Sequence, residues 1–171
     1  MTLYYFAYGS NMHPLRLAQR VPSSTPLGTA ELPGYMLRFH KVGGDGSGKC
    51  NVEHTGRDHD RVLGVVYRLL AIEKPLLDKA EGVGFGYELE AQEIQFRGAS
   101  REVFYYVAQA THIDDSLQPF HWYKDLVVAG TRTHGLPRHY VSELDRITSV
   151  ADPDHERTHQ HRRILSDGAF R

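Results

Sequence analysis

The run Val62-Leu-Gly-Val-Val-Tyr-Arg-Leu-Leu70 constrains this chain more than any other segment. It is apolar enough to be buried on both faces of a sheet, which predicts a strand over residues 61–70. Further strands are expected at 4–8, 27–32, 35–42, 50–54 and 101–109. Tyr87-Glu-Leu-Glu-Ala91 alternates strictly, and the alternation changes phase near Glu93 and Ile94, which predicts a strand with a bulge. Helical signals lie between and after these strands. Pro14 opens a short helix over 13–20, and Leu76, Leu77 and Ala80 recur at helical spacing within 72–81. Beyond Pro119, Trp122, Leu126 and Val127, then Leu136, Tyr140, Leu144 and Ile147, mark two more helices separated by Gly135-Leu-Pro137. Strands predominating first and helices last give an α+β fold: a small mixed, mostly antiparallel β-barrel with flanking α-helices.

With 171 residues, 40% of them hydrophobic, the expectation is one globular domain over 1–150, followed by a polar C-terminal tail over 151–171. Twenty basic against 21 acidic residues leave the chain near neutral, so charge favours neither nucleic acid nor an anionic membrane as partner. Cys50 is the single cysteine, which rules out an intrachain disulfide, and the opening apolar stretch is too short for a signal peptide or membrane span. A cytoplasmic protein with a small-molecule ligand is the reading that remains. His155, His159 and His161 sit among charges in the tail, without a second ligand cluster to make a metal site of them.

Two segments carry candidate chemistry. The first strand breaks at Gly9 into Gly-Ser-Asn-Met, where a tight turn brings a ligand close to the main chain, and the amides of Gly9, Ser10 and Asn11 form a nest for negative charge; an ordinary turn is the competing reading. The second is Leu77-Asp-Lys-Ala-Glu-Gly-Val83, in which Glu81 ends a helix just before Gly82. The helix C-terminus carries partial negative charge and disfavours a carboxylate ion there, a placement that suits a general base facing a closed pocket, or else a surface glutamate before a capping glycine. Gly43-Gly-Asp-Gly-Ser-Gly-Lys-Cys50 imitates a phosphate loop, but Cys50 replaces the hydroxyl residue and no helical periodicity follows. It reads as a mobile loop between strands bordering a site. Ser10 lacks the nucleophile-elbow pattern, and Cys50 has only Lys49 as an evident basic neighbour, so neither is a convincing nucleophile.

Taken together, Tyr5-Phe-Ala-Tyr-Gly-Ser-Asn-Met12, Asp45-Gly-Ser-Gly-Lys-Cys-Asn51, Leu77-Asp-Lys-Ala-Glu-Gly-Val83, and Trp122 to Gly130 with Gly135-Leu-Pro-Arg-His-Tyr140 resemble the γ-glutamylcyclotransferases and their AIG2-like relatives, in order and spacing, from about Tyr4 to Ile147. The resemblance implies an active pocket at the barrel mouth, no metal or organic cofactor, and conversion of a γ-glutamyl compound to 5-oxoproline and a free amine. It assigns the catalytic glutamate to Glu81 and substrate binding to Tyr8, Gly9, Ser10, Asn11 and Met12, with Tyr87 and Tyr123 as further contacts. Tyr106 also matches a family aromatic and either reaches the pocket or packs. In such a reaction the substrate brings its own nucleophile, the α-amine, and a carboxylate that moves protons completes the chemistry. The alternative is a binding protein of the same fold that lacks turnover.

Overall fold

A computed structural model of the chain describes residues 1–168. Seven strands are present: β1 (Thr2–Ala7), β2 (Thr25–Pro33), β3 (Tyr35–Val42), β4 (Gly48–His54), β5 (Arg61–Leu70), β6 (Tyr87–Phe96) and β7 (Ala99–Ala108). Five helices accompany them: α1 (Pro14–Arg20), α2 (Lys74–Glu81), α3 (His121–Thr133), α4 (Arg138–Asp145) and α5 (His155–Gly168). Five strands form one sheet in the order β2-β5-β1-β7-β6, and β3 pairs with β4 in a separate hairpin. All pairings are antiparallel except β1 with β7, which run parallel through Tyr5 and Phe104. The architecture is mixed and mostly antiparallel with flanking helices, as expected from the sequence, and the expected small barrel takes the form of a curled half-barrel. Its edges approach one another, because Arg97 beyond β6 donates to the Leu27 carbonyl of β2 and the Phe96 ring lies against Gly28.

Strand β5 lies between β2 and β1, and every residue from Val62 to Tyr67 is buried, as its apolar run demands. The bulge predicted in β6 is absent. Pairing runs without interruption from Tyr87 opposite Ala108 to Phe96 opposite Ala99. The change of phase has another cause: Tyr87 is buried on one face of the strand, whereas Ile94 and Phe96 are buried on the other. The hairpin joins the large sheet through side chains. Asn51 accepts from the Ala108 amide at 2.8 Å, and the Tyr35 and Tyr105 hydroxyls meet at 3.1 Å.

Residues 151–168 are not a solvated tail, and 169–171, the rest of the expected tail, lie outside the described residues. Asp152 is buried, accepts from the Trp122 indole at 2.8 Å and from the Arg157 side chain at 2.7 and 2.5 Å, and anchors the start of α5. From α5, Ile164 enters the core and His161 stacks on Trp122 with ring centroids 3.8 Å apart. Polar composition concealed this helix, since it packs with few apolar residues and relies on hydrogen bonds. The Gly43–Cys50 segment is a hairpin loop leading into β4, with the Asp45 carboxylate accepting from Ser47 N, Ser47 Oγ and Lys49 Nζ at 2.7–3.0 Å. No helix follows it, which agrees with rejecting it as a phosphate loop.

Candidate active site

Because β1 and β7 run parallel, their C-terminal ends open on the same end of the sheet. There the chain leaves β1 through Tyr8 and Gly9 into a single helical turn, Ser10–Met12, in which Met12 N donates to Gly9 O at 2.9 Å and His13 N to Ser10 O at 3.2 Å. The amides of Ser10 and Asn11 precede these bonds and so lack partners within the turn. Gly9 is extended rather than left-handed. Its bareness serves space instead: a Cβ there would stand 3.0 Å from the Cys50 Cβ.

Helix α2 delivers Glu81 to the same place. Gly82, at φ 72°, ends the helix in a left-handed cap, with Gly82 N donating to Lys79 O and Val83 N to Asp78 O. Glu81 is therefore the last helical residue, as expected, and its side chain is turned inward, 15% exposed. Asn11 Nδ2 donates to Glu81 Oε1 at 2.8 Å and to the Tyr5 hydroxyl at 3.0 Å. The Arg20 guanidinium donates to the same Glu81 oxygen and, at 2.9 Å, to Asn11 Oδ1. Asn11 and Arg20 thus hold one oxygen of the carboxylate from two sides. Oε2 has no hydrogen-bond partner among the described residues, and Glu81 lines the pocket together with its tyrosines.

The pocket is lined by Tyr5, Tyr8, Gly9, Ser10, Asn11, Cys50, Glu81, Tyr87, Tyr106 and Tyr123. Burial, with the charge of Glu81 adding to it, holds the hydroxyls of Tyr5, Tyr8, Tyr87, Tyr106 and Tyr123 far above the usual phenol range, so all five stay protonated. Three of these protons are already committed: Tyr8 donates to the Tyr106 carbonyl, Tyr87 to the Cys50 carbonyl at 2.5 Å, and Tyr106 to Asp78 at 2.7 Å. Tyr123 accepts from the Cys50 amide at 3.0 Å. Tyr87 and Tyr123 thus clamp the β4 backbone while their rings form the wall. Cys50 is fully buried, and burial pushes its thiol up to about 12, far from a nucleophilic thiolate.

Of the residues singled out in the sequence, Tyr8, Gly9, Ser10, Asn11, Glu81, Tyr87 and Tyr123 converge here, and Tyr106 joins them. Met12 does not. It is wholly buried behind the turn, where its carbonyl accepts from Tyr67 Oη at 2.9 Å and lies 3.0 Å from His134 Nε2. Sequence reasoning missed Tyr5, Arg16 and Arg20. The two arginines are four residues apart on α1 and so share a face, a spacing that was available as a signal. Arg16 is buried and donates from Nε to Ser10 Oγ at 2.9 Å, and its Nη1 lies 3.2 Å from His161 Nδ1.

The curled sheet brings the first-strand turn and a helix-end glutamate together in a tyrosine-lined pocket, and the AIG2-like family model matches residues 61–144. A γ-glutamylcyclotransferase of Bos taurus is 30% identical over 150 residues, which span 84% of this chain and 77% of that protein. Its counterpart from Homo sapiens is 29% identical over 150 residues, with the same shares. The chain belongs to the γ-glutamylcyclotransferase family. Among solved structures, one described as a γ-glutamyl cyclotransferase superposes with a TM-score of 0.80 at 23% identity, over 94% of this chain and 99% of that one. A second, from Homo sapiens, gives 0.78 at 24% identity over 92% and 98%.

Proposed function

We propose that this chain is a cyclotransferase that converts a γ-glutamyl amide to 5-oxoproline and a free amine, with Glu81 as the group that moves the protons. The observation that carries this reading is the position of its carboxylate: Oε1 is tied to Asn11 and Arg20, while Oε2 has no partner among the described residues, and Glu81 is part of the tyrosine-lined pocket. The bovine and human relatives are γ-glutamylcyclotransferases by name, which supports the same reaction.

In that reaction the α-nitrogen of the γ-glutamyl group attacks its own γ-carbonyl carbon. The new C–N bond closes a five-membered lactam, and the old amide C–N bond breaks. Two protons leave the α-ammonium, and both end on the departing amine. Glu81 takes each in turn and passes it to the leaving nitrogen, as base and then acid, a service of about 10²- to 10⁴-fold in rate. The ion pair with Arg20 fixes the position of the Glu81 carboxylate at the pocket. The amides of Ser10 and Asn11, which lack partners within the turn, hold the substrate carboxylate or the oxyanion, where one donor is worth about 10²- to 10³-fold. Tyr8, Tyr87 and Tyr123 shape the walls that fold the substrate into a ring-closing posture. A single cysteine, buried and reduced, and a small polar substrate are in keeping with a cytoplasmic enzyme.

The test is 5-oxoproline release from a panel of γ-glutamyl dipeptides and γ-glutamyl amines by the wild type and Glu81→Gln, with binding measured in parallel. Release by the wild type and a loss of at least 10²-fold in the variant, with binding retained, is the expected result. Binding by both proteins without release by either would make the chain a γ-glutamyl binder and remove the chemistry assigned to Glu81.

A further inference from the structure

Arg16, Arg20, Lys41 and Lys49 lie against residues that line the pocket, and three of them are committed to partners. Arg20 is held by Glu81 and Asn11, Arg16 by Ser10 and His161, and Lys49 by Asp45 and Ser47. Lys41 differs. It comes from β3, where the pairing with β4 is irregular between Arg38 and Lys41, so that Phe39, His40 and Lys41 are all buried instead of alternating. Only 7% of Lys41 is exposed. Its ammonium lies 4.6 Å from the centre of the Tyr87 ring, at the pocket wall. It has no hydrogen-bond acceptor and no ion-pair partner among the described residues. Gly86 leaves room for it, since a Cβ there would stand 2.8 Å from Nζ.

A largely buried lysine whose ammonium meets only one aromatic face and solvent gains from an anion that joins it. Burial pulls Lys41 below the ordinary lysine range, while Glu81 and Asp45 act on it at longer range in the opposite sense. Lys41 thus places an ammonium beside the pocket wall with no acceptor among the described residues. On the proposed reaction, the γ-glutamyl end lies against Glu81 and the Ser10–Asn11 amides. Lys41 is on a different layer of the fold, beside Tyr87, and is placed for the other end of the substrate.

We propose that Lys41 is a specificity-determining residue that binds a carboxylate on the leaving group, so that the enzyme selects γ-glutamyl amino acids over γ-glutamyl amines lacking that carboxylate. This rests on the cyclotransferase reading. The γ-glutamyl group alone supplies an α-carboxylate and an α-ammonium, and the turn amides and Glu81 already answer both. The charge on Lys41 is surplus to them and matches a second carboxylate attached to the departing nitrogen.

The experiment compares γ-glutamylalanine with γ-glutamylethylamide, which differ only by that carboxylate, on the wild type, Lys41→Met and Lys41→Arg, each checked for an unchanged thermal transition. The wild type is expected to favour γ-glutamylalanine by at least 10-fold in kcat/KM. Lys41→Met should lose about 10- to 100-fold on γ-glutamylalanine, mainly in KM, and stay within about twofold on the ethylamide. Lys41→Arg should restore part of the preference. Equal losses on both compounds would assign Lys41 to the γ-glutamyl end or to the fold, and no loss on either would leave it without a role; each overturns the proposal. Should the wild type turn over neither compound, the reading as a cyclotransferase fails separately. Lys41 is then judged by calorimetric affinities, where a preference for γ-glutamylalanine abolished by Lys41→Met upholds it and equal affinities refute it.

Discussion

Gly130, in the last turn of α3, is the residue through which a helix positions the Ser10–Met12 turn. A Cβ at Gly130 would stand 2.7 Å from Met12 Cβ, 2.8 Å from His13 N and 2.9 Å from Met12 C. These are atoms of the turn's own framework, two of them backbone, so they cannot swing aside as a side-chain tip would. Restoring ordinary contact at about 3.4 Å requires α3 and the turn to part by about 0.7 Å. Gly130→Ala thus pits two effects against each other. In a helix interior, alanine gains about 0.8–1 kcal/mol over glycine. Overpacking a tight contact costs about 1–3 kcal/mol. The clash with two backbone atoms puts the cost at the upper end, and net destabilisation of about 1–2 kcal/mol is expected, which lowers Tm by about 2–8 °C in a chain of this size. The same shift moves Ser10 and Asn11 relative to Glu81. Misplacement approaching 1 Å costs on the order of 10²-fold in rate, so kcat/KM for 5-oxoproline release should fall by about 10- to 100-fold. Calorimetry and steady-state kinetics on the purified variant measure both. If Gly130→Ala raises Tm and leaves kcat/KM unchanged, helix propensity alone is at work and α3 does not set the position of the turn.

Two further outcomes follow from the perturbed groups. Burial first, then the charges of Arg16, Lys49, Arg20 and Arg157, bring the His161 imidazole down to about 4. Its folded value lies below the unfolded one, so the unfolded chain takes up the proton first and stability is lost as pH falls from about 6.5 toward 4. After allowance for solvent screening, about 1 kcal/mol should go between pH 7 and 5. Thermal unfolding across that range should show a shallower slope in His161→Gln than in the wild type, and parallel slopes would contradict the placement of His161 between Trp122 and Arg16. The buried Cys50 thiol, pushed up to about 12, should resist iodoacetamide at pH 8 in the folded protein and react promptly in denaturant. Equal rates in the two states would show that the wall it forms is open to solvent.

Much of the scaffold was legible because it rests on local signals. The apolar run of β5, Pro14 at the start of α1, and the spacing of Trp122, Leu126 and Val127 each encode an element within a few residues. Where a local signal misled, tertiary context supplied the reason. The phase change in β6 came from burial on opposite faces at its two ends, which depends on what lies against each half. The His-rich stretch looked like a solvated tail because its attachment is a set of pairings (Asp152 with Trp122 and Arg157, His161 with Trp122 and Arg16) rather than an apolar stripe.

The candidate site divides along the same line. Gly9-Ser-Asn11 at a strand end and Glu81 before a capping glycine could be found in the sequence, since a chain break and a helix stop each require particular residues at fixed offsets. That the two meet could not be read from residues 70 positions apart, nor could the contact of Arg20 with Glu81, the clamping of Cys50 by Tyr87 and Tyr123, or the withdrawal of Met12 behind the turn. Nor could the lack of an acceptor for Lys41 among the described residues, because that is a property of every neighbour at once. Backbone preferences and hydrophobic period are short-ranged and leave their mark in consecutive residues; hydrogen bonds and charges between distant segments depend on the packed sheet and helices, so only the tertiary structure decides them.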